Sequence, residues 1–319
     1  MFQASLFFTL FLKILPIYMI IFIGYLSGKC LKIDKNTISE ILFYIINPLV
    51  VLYGVSRIDV SLQVAFLPIL ILCIGSVMSL MVYYISSFVF KDNTKNILAF
   101  SSGSTSMGYF GLPIAVALQF DEHTISAYIV CYIGMLLFEN SLGFYIAANG
   151  IYTKKECLFK LFKIPSSYAM LLGFILSIFD VHIPHFLSDC MVSIRGTFVT
   201  LGMMLLGICI AQITNFKIDW KIAFTTIMVK YILWPLFVLS IVLLDKYIIK
   251  IYDEKIYKAL ILLAIIPVSG SSIILANILN YKPDRVALLL FISVTVGLFY
   301  VPLVISLFFA KLFFLSMHI

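Results

Sequence analysis

Glu139, Arg195 and Lys230 stand inside long apolar stretches, where a charge is costly and functional by default. At 1.5 Å per helical residue they lie roughly 22, 12 and 14 Å into those stretches. A carboxyl at such a depth suits proton exchange or a polar network, which Asn140 beside it extends. Arg195 suits an anionic substrate or a scaffold contact. Lys230, followed by Tyr231, suits a polar network. Glu139 and Arg195 could also form a static pair, but that pair must bridge roughly 10 Å of nominal depth. Lys13 lies near the end of its stretch and is expected to snorkel.

Two further stretches carry no charge but a weak backbone. One reads SSGSTSMGYFGLP, with Gly103, Gly108, Gly111 and Pro113 set among Ser101, Ser102, Ser104, Thr105 and Ser106. The other reads IPVSGSS, with Pro267, Ser269, Gly270, Ser271 and Ser272. Glycine weakens a helix, and an interior proline removes one backbone bond. Pro113 is expected to free the carbonyl of Tyr109, and Pro267 that of Leu263. A half-helix starting at Pro113, and another near Ser269 with serines as caps, would present N–H groups and a positive dipole end. Two such ends meeting favour an anion, above all a carboxylate. Small residues can equally serve close helix packing. A matched pair of breaks points to a site more strongly than either one alone.

The elements that must position these residues are membrane helices. Of 319 residues, 63% are hydrophobic and only 12% charged, and mean hydropathy is +1.12. Thirty-seven charged side chains cannot supply the polar shell of a soluble globule of this size. This excludes a cytosolic enzyme, a disordered chain and a nucleic-acid module. The net charge of +7 sits in short runs between apolar stretches, where topology and lipid account for it. Ten spans are expected, near 8–28, 38–56, 64–90, 97–119, 124–148, 164–181, 187–213, 221–244, 258–280 and 286–310. The first lacks a basic leader and reads as a retained span. The six cysteines are dispersed and read as small buried hydrophobes.

Loop cations set the expected orientation. With the N-terminus outside, 13 fall inside, from Lys29 to Arg285, and 6 outside: Arg57, Lys246, Lys250, Lys255, Lys258 and Lys311. Four of those six crowd into 245–258 and run against the rule locally. Both termini are therefore expected outside. The chain divides into a five-helix unit over 1–150, a basic cytoplasmic linker over 151–163 and a second five-helix unit over 164–319. Pro16 and Gly24 stand eight residues apart in the first span, as Pro165 and Gly173 do in the sixth. An odd number of spans per half makes the second half enter with opposite polarity, the pattern of an inverted repeat.

The segment GYFGLPIA resembles the broken fourth helix of the auxin efflux carrier family, whose usual form is close to N-x-G-F-L-G-L-P. Supporting residues run over nearly the whole chain: Gly24, Tyr25 and Gly28 in helix 1, Asn47-Pro48 in helix 2, Gly202 and Gly207 in helix 7, and Pro267 with Ala276 in helix 9. Where the family often has Asn, this sequence has Ser106, so a hydroxyl replaces an amide able to grip a carboxylate. The resemblance implies an all-α polytopic membrane protein of ten transmembrane helices in two inverted five-helix repeats, with broken helices 4 and 9 crossing at the site. It implies a secondary transporter of the bacterial cytoplasmic membrane, similar to proteins described as malate and malonate permeases. The expected substrate is a small organic anion, a carboxylate or dicarboxylate. Its expected ligands are Asn47, Ser106, Gly108, Gly111, Pro113, Pro267, Ser269, Gly270 and Ser271, with Glu139, Asn140, Arg195 and Lys230 in a coupling or polar network.

No cofactor is expected beyond a transported proton, with Na⁺ the alternative in the manner of the bile-acid-type symporters. Expected partners are the anion, membrane lipid and a second copy of the chain in a homodimer. A receptor that binds without flux is the remaining alternative. An enzyme is not expected: His123, His182, His185 and His318 fall in loops or the tail, and no paired acids or H-E-x-x-H occur. His182 and His185 near Asp180 and Asp189 could suggest a metal, but a short polar loop explains them as well.

Overall fold

Prolines mark where these helices begin and where they loosen. In a computed structural model of the chain, Pro68, Pro165 and Pro283 each open a helix, the position where a missing N–H costs nothing. The structure describes residues 2–56, 66–118, 120–149, 151–161, 163–181, 184–213 and 219–306. Arg57, His182, Lys217, Lys311 and His318 lie outside the described residues, as do the side chains of Lys13, Pro113 and His185.

Among the described residues the fold is helical, without strands. The helices are α1 (Phe2–Cys30), α2 (Lys35–Val55), α3 (Leu67–Val89), α4a (Thr94–Gly103), α4b (Met107–Gly111 running into Leu112–Ala117) and α5 (Glu122–Phe138 continuing to Ala148). A short basic helix, Lys154–Leu161, then leads to α6 (Pro165–Ile178), α7 (His185–Ala211), α8 (Trp220–Ile249), α9a (Glu254–Ile265), α9b (Ser271–Ile278) and α10 (Pro283–Val304). Six of these, α2, α3, α5, α7, α8 and α10, are long and apolar enough to cross a membrane. Leu15–Cys30 of α1 and all of α6 are shorter apolar helices, and the fourth and ninth stretches are each split in two. Cys131, Cys157 and Cys209 are buried, but Cys30, Cys73 and Cys190 are exposed, against the expectation of six buried thiols. They sit on outward faces of apolar helices, where lipid accepts a small apolar side chain as readily as a core does.

Two close helix pairings join the first half of the chain to the second. α1 lies along α7, and α6 lies along α2. A Cβ on Gly24 would stand 2.2 Å from the Met204 carbonyl oxygen, and one on Gly207 would stand 2.0 Å from that of Ile21. Only bare backbone fits there. Gly173 fills the corresponding place on α6, where a Cβ would meet Val55 of α2 at 2.8 Å. The first helix of each half thus rests on the second helix of the other. The Asn47 amide adds a buried hydrogen bond to Ser166 Oγ across the α2–α6 pair, at 2.9 Å.

Ionic contacts gather at the two ends of the bundle. At the end carrying loops 31–34, 90–93 and 279–282, Asp92 pairs with Lys282 and lies 4.0 Å from Arg285. Both cations also donate to Thr94, at 2.9 and 3.3 Å, and Lys35 lies 3.7 Å from Asp284. The starts of α2, α4a and α10 are thereby tied together. Beside them, the Asn277 amide of α9b donates to Ser39 Oγ at 3.1 Å and Cys209 Sγ at 3.6 Å. At the other end, Lys255 lies 3.9 Å from Asp121 and Lys246 4.0 Å from Glu254. The buried Asp245 carboxylate accepts from the N–H groups of Ile251 and Tyr252 and from the Tyr257 hydroxyl. Two of the cations that crowd into 245–258, Lys246 and Lys255, are thus set beside acids.

Partial burial pushes the Asp92 carboxyl up, but hydrogen bonds from Lys282 and Thr94 outweigh it and hold the group at about 2. A depressed carboxyl stabilises the fold above its ordinary value and loses that contribution as pH falls through the folded value. Asp92→Asn should lower the melting temperature by on the order of 2 °C at neutral pH, since half-exposed pairs contribute little. The gap should hold from about pH 7 to 5 and narrow below about pH 4. Scanning fluorimetry of both proteins across pH checks this.

Candidate functional site

The two breaks satisfy each other. α4a ends at Gly103, and Ser104, Thr105 and Ser106 run non-helical before Met107. Pro267 can give no N–H to the Leu263 carbonyl, and the Thr105 hydroxyl takes that carbonyl instead, at 3.1 Å. The Ser106 N–H donates to the Pro267 carbonyl at 2.9 Å, and the Ser106 carbonyl accepts from Phe110 and Gly111. On the other strand of the crossing, Val268 N–H donates to Ser293 Oγ of α10 at 3.1 Å. Ser269 Oγ caps the Ser271 N–H at 3.2 Å, opening α9b. α4b therefore resumes at Met107, six residues ahead of the expected start at Pro113. Pro113 stands inside α4b, and N–H groups near it are already in the helix.

A second regularity surrounds the breaks. α2, α4b and α8 each contain a widened, π-type turn, at Ile41–Ile46, Met107–Gly111 and Val229–Leu233. Each turn ends two residues before a proline: Pro48, Pro113 and Pro235. The proline ring crowds the preceding turn and leaves a carbonyl without its donor, and one extra residue in the turn relieves the clash. The carbonyl freed by Pro235 is that of Tyr231, and the Tyr300 hydroxyl takes it at 2.8 Å. α5 carries a similar turn, without proline, at Glu139–Gly143. Asn47, Glu139, Asn140 and Lys230 all sit in or directly after such turns, which bulge side chains out of the usual helical register.

A narrow cavity of about 20 Å³, room for about one water molecule, lies beside the crossing. Leu42, Phe43 and Asn47 of α2 and Phe198 of α7 line one side. Phe100 of α4a, Glu139, Asn140 and Phe144 of α5, and Ser271, Ile274 and Leu275 of α9b line the other. The cavity is a seam between the α1/α2/α6/α7 group and the rest. Glu139 is 8% exposed, and its Oε1 has no hydrogen-bond partner among the described residues. The hydroxyls of Ser269 and Ser271 face its carboxyl. Asn140 turns its amide back to the Leu136 carbonyl at 2.8 Å. Its polar floor and aromatic walls match the chemistry of a small ligand with one polar end, which the cavity would have to widen to admit.

The structure thus brings Asn47, Glu139, Asn140 and Ser271 together, with Ser269 and the capping Gly270 beside them. It does not bring the other expected residues into the cavity. Gly108 and Gly111 face the phenols of Tyr132 and Tyr128, where any Cβ would collide, so they serve the packing of α4b on α5. Ser106 and Pro267 spend their backbone groups on the crossing itself. Arg195 is half-buried and forms no ion pair with Glu139, although both act electrostatically on Tyr132. Lys230 lies off the cavity, against the carbonyl end of α4a. The aromatic walls, Phe43, Phe100, Phe144 and Phe198, were not among the expected residues. Their only sequence signal is an abundance of phenylalanine, which reads as lipid-facing surface.

The profile of a family described as membrane transport protein matches residues 9–305, which span both breaks and every wall of the cavity. The chain belongs to the auxin efflux carrier family. It is a membrane transporter, and the family is one of carriers rather than enzymes. No curated protein matches the chain. Among the described residues no three His, Cys, Asp or Glu side chains gather as a metal site would require.

The bond from Thr105 to Leu263 gives the crossing a direct test. Thr105→Val keeps the shape and strands a buried carbonyl, which costs about 1–3 kcal/mol. The variant should fold, with a melting temperature several degrees lower, and Ser at this position should restore most of the loss. Thermal unfolding in detergent measures both.

Proposed function

We propose that this carrier moves a small organic anion across the bacterial cytoplasmic membrane by alternating access, coupled to a proton. Its ten helical stretches form two inverted five-helix repeats, α1–α5 and α6–α10, with both termini outside. The reciprocal pairing of α1 with α7 and α6 with α2, through Gly24 and Gly173 at matched places, supports that symmetry. The match of Pro16 to Pro165 contributes less, because Pro16 lies inside α1 while Pro165 opens α6.

The observation that carries the reading is Glu139, buried at the start of α9b with the Ser269 and Ser271 hydroxyls at its carboxyl and Oε1 left without a partner among the described residues. The N-terminal end of α9b and Ser271 favour an anion. A charged Glu139 in the same small space repels one, and among the described residues no cationic side chain lines the cavity to offset it. An anion and this carboxyl therefore share the site best when the carboxyl holds a proton. A carboxyl whose hydration changes as the cavity opens to one side or the other exchanges that proton on each cycle. Na⁺ is the second reading, because carboxylate, amide and hydroxyl oxygens stand together there. A ligand sensor without flux is the third.

Uptake of radiolabelled mono- and dicarboxylates into proteoliposomes separates the three. Proton coupling predicts accumulation driven by a pH gradient without Na⁺. Glu139→Gln should then lose at least tenfold of gradient-driven accumulation while retaining counterflow exchange. A stable Gln variant with wild-type uptake removes Glu139 from coupling, and binding without flux in the parent protein favours the sensor. Orientation has its own test. In a cysteine-free background, Lys155→Cys on the exposed linker helix should resist an impermeant thiol reagent in intact cells and react in inverted vesicles.

A further inference from the structure

Lys230 is fully buried, at 0% exposure, deep within a helix of a membrane transporter. Among the described residues it has no carboxylate within ion-pairing distance. Its Nζ lies 3.4 Å from the Ser104 carbonyl oxygen and 4.2 Å from the centre of the Trp234 ring. Trp234 in turn donates Nε1–H to the Ser102 carbonyl at 2.7 Å. The Ser102 carbonyl belongs to the last turn of α4a and the Ser104 carbonyl to the extended residue that caps it, at the negative end of that helix. The widened turn Val229–Leu233 delivers both side chains to that end. The next residue, Tyr231, bonds its hydroxyl to Ser293, the same residue that receives the Val268 N–H from the break in α9. One turn of α8 therefore braces both breaks.

A helix ending inside hydrocarbon needs donors for its last carbonyls, and a positive charge also answers its dipole. A dissolved cation could supply it, or a side chain could. We propose that the Lys230 ammonium is the resident cation of the crossing, holding the carbonyl end of α4a in the place of a bound monovalent ion and freeing the carrier from Na⁺ at this position. This rests on the proposed transport reading only in what it says about coupling. The placement of the ammonium is independent of flux. The cation–π contact with Trp234 and the dipole of α4a both act to lower the cost of burying the charge.

The test uses thermal unfolding of purified protein, so it does not require that a substrate be known. Melting temperatures are compared in equal concentrations of choline, sodium, lithium and methylammonium chloride. The wild-type protein and Lys230→Arg should be insensitive to the cation, within about 1 °C. Lys230→Ala should melt about 6 °C or more below wild type in choline, and methylammonium or Na⁺ should recover at least half of that loss. Lys230→Met keeps the apolar stem and carries the same comparison if the alanine variant does not fold. A wild-type protein that melts higher in Na⁺ than in choline overturns the proposal. So does a folded alanine or methionine variant without any cation response, which would mean that a neutral amine suffices. Failure of the proteoliposome assay would leave these outcomes unaffected, so the two readings fall separately.

Discussion

A broken helix cannot leave its backbone bare in hydrocarbon, and this constraint organises the centre of the molecule. Four helix ends meet there, and lipid offers no partner to any of them. The solution is mutual. α4 lends a hydroxyl and an N–H to carbonyls of α9, α10 lends Ser293 to an N–H of α9, and α8 lends Lys230 and Trp234 to carbonyls of α4a. Neither break could exist without the other, so the unit that positions the cavity is the pair together with its braces. The cavity forms where this braced unit meets the α1/α2/α6/α7 group. Of the polar atoms lining it, Glu139 Oε1 is left without a partner among the described residues.

The helical architecture was largely legible, because run length and charge placement are strong signals in so apolar a chain. The limits of α3, α5, α6 and α7 fall within a few residues of expectation. The breaks were legible too, through proline, glycine and serine crowding. The start of α4b was misplaced because a proline was read as the first residue of a helix. Pro68, Pro165 and Pro283 do play that part, but Pro48, Pro113 and Pro235 each follow a widened turn. Nothing local separates the two uses. After Pro235, the freed Tyr231 carbonyl is taken by Tyr300 of the adjoining α10.

The site was legible in part. Glu139 and Asn140 announce themselves as polar residues in an apolar run, and Asn47 was read from a motif. Gly108 and Gly111, read from the GYFGLPIA segment, face Tyr132 and Tyr128 rather than the cavity. A glycine marks close approach without saying what approaches, and here it is a phenol. Arg195 looked like a natural partner for Glu139, yet the two do not pair. Depth along a helix is readable from a sequence, but azimuth after a widened turn is not. Each such turn rotates everything that follows it, so a face assigned by counting in steps of three and four drifts away from its neighbour.

The seam between the two groups of helices has a mechanical consequence. Across it, the described residues place few polar bonds: Tyr18 to the Val294 carbonyl, Asn277 to Ser39 and Cys209, and Lys35 to Asp284. Within each group the ties are glycine-tight or bonded through buried backbone. The polar ties across the seam are few and, Tyr18 apart, gather at the end where Asn277 and Lys35 stand, so the two groups are clasped at one edge and held by side-chain packing along the rest.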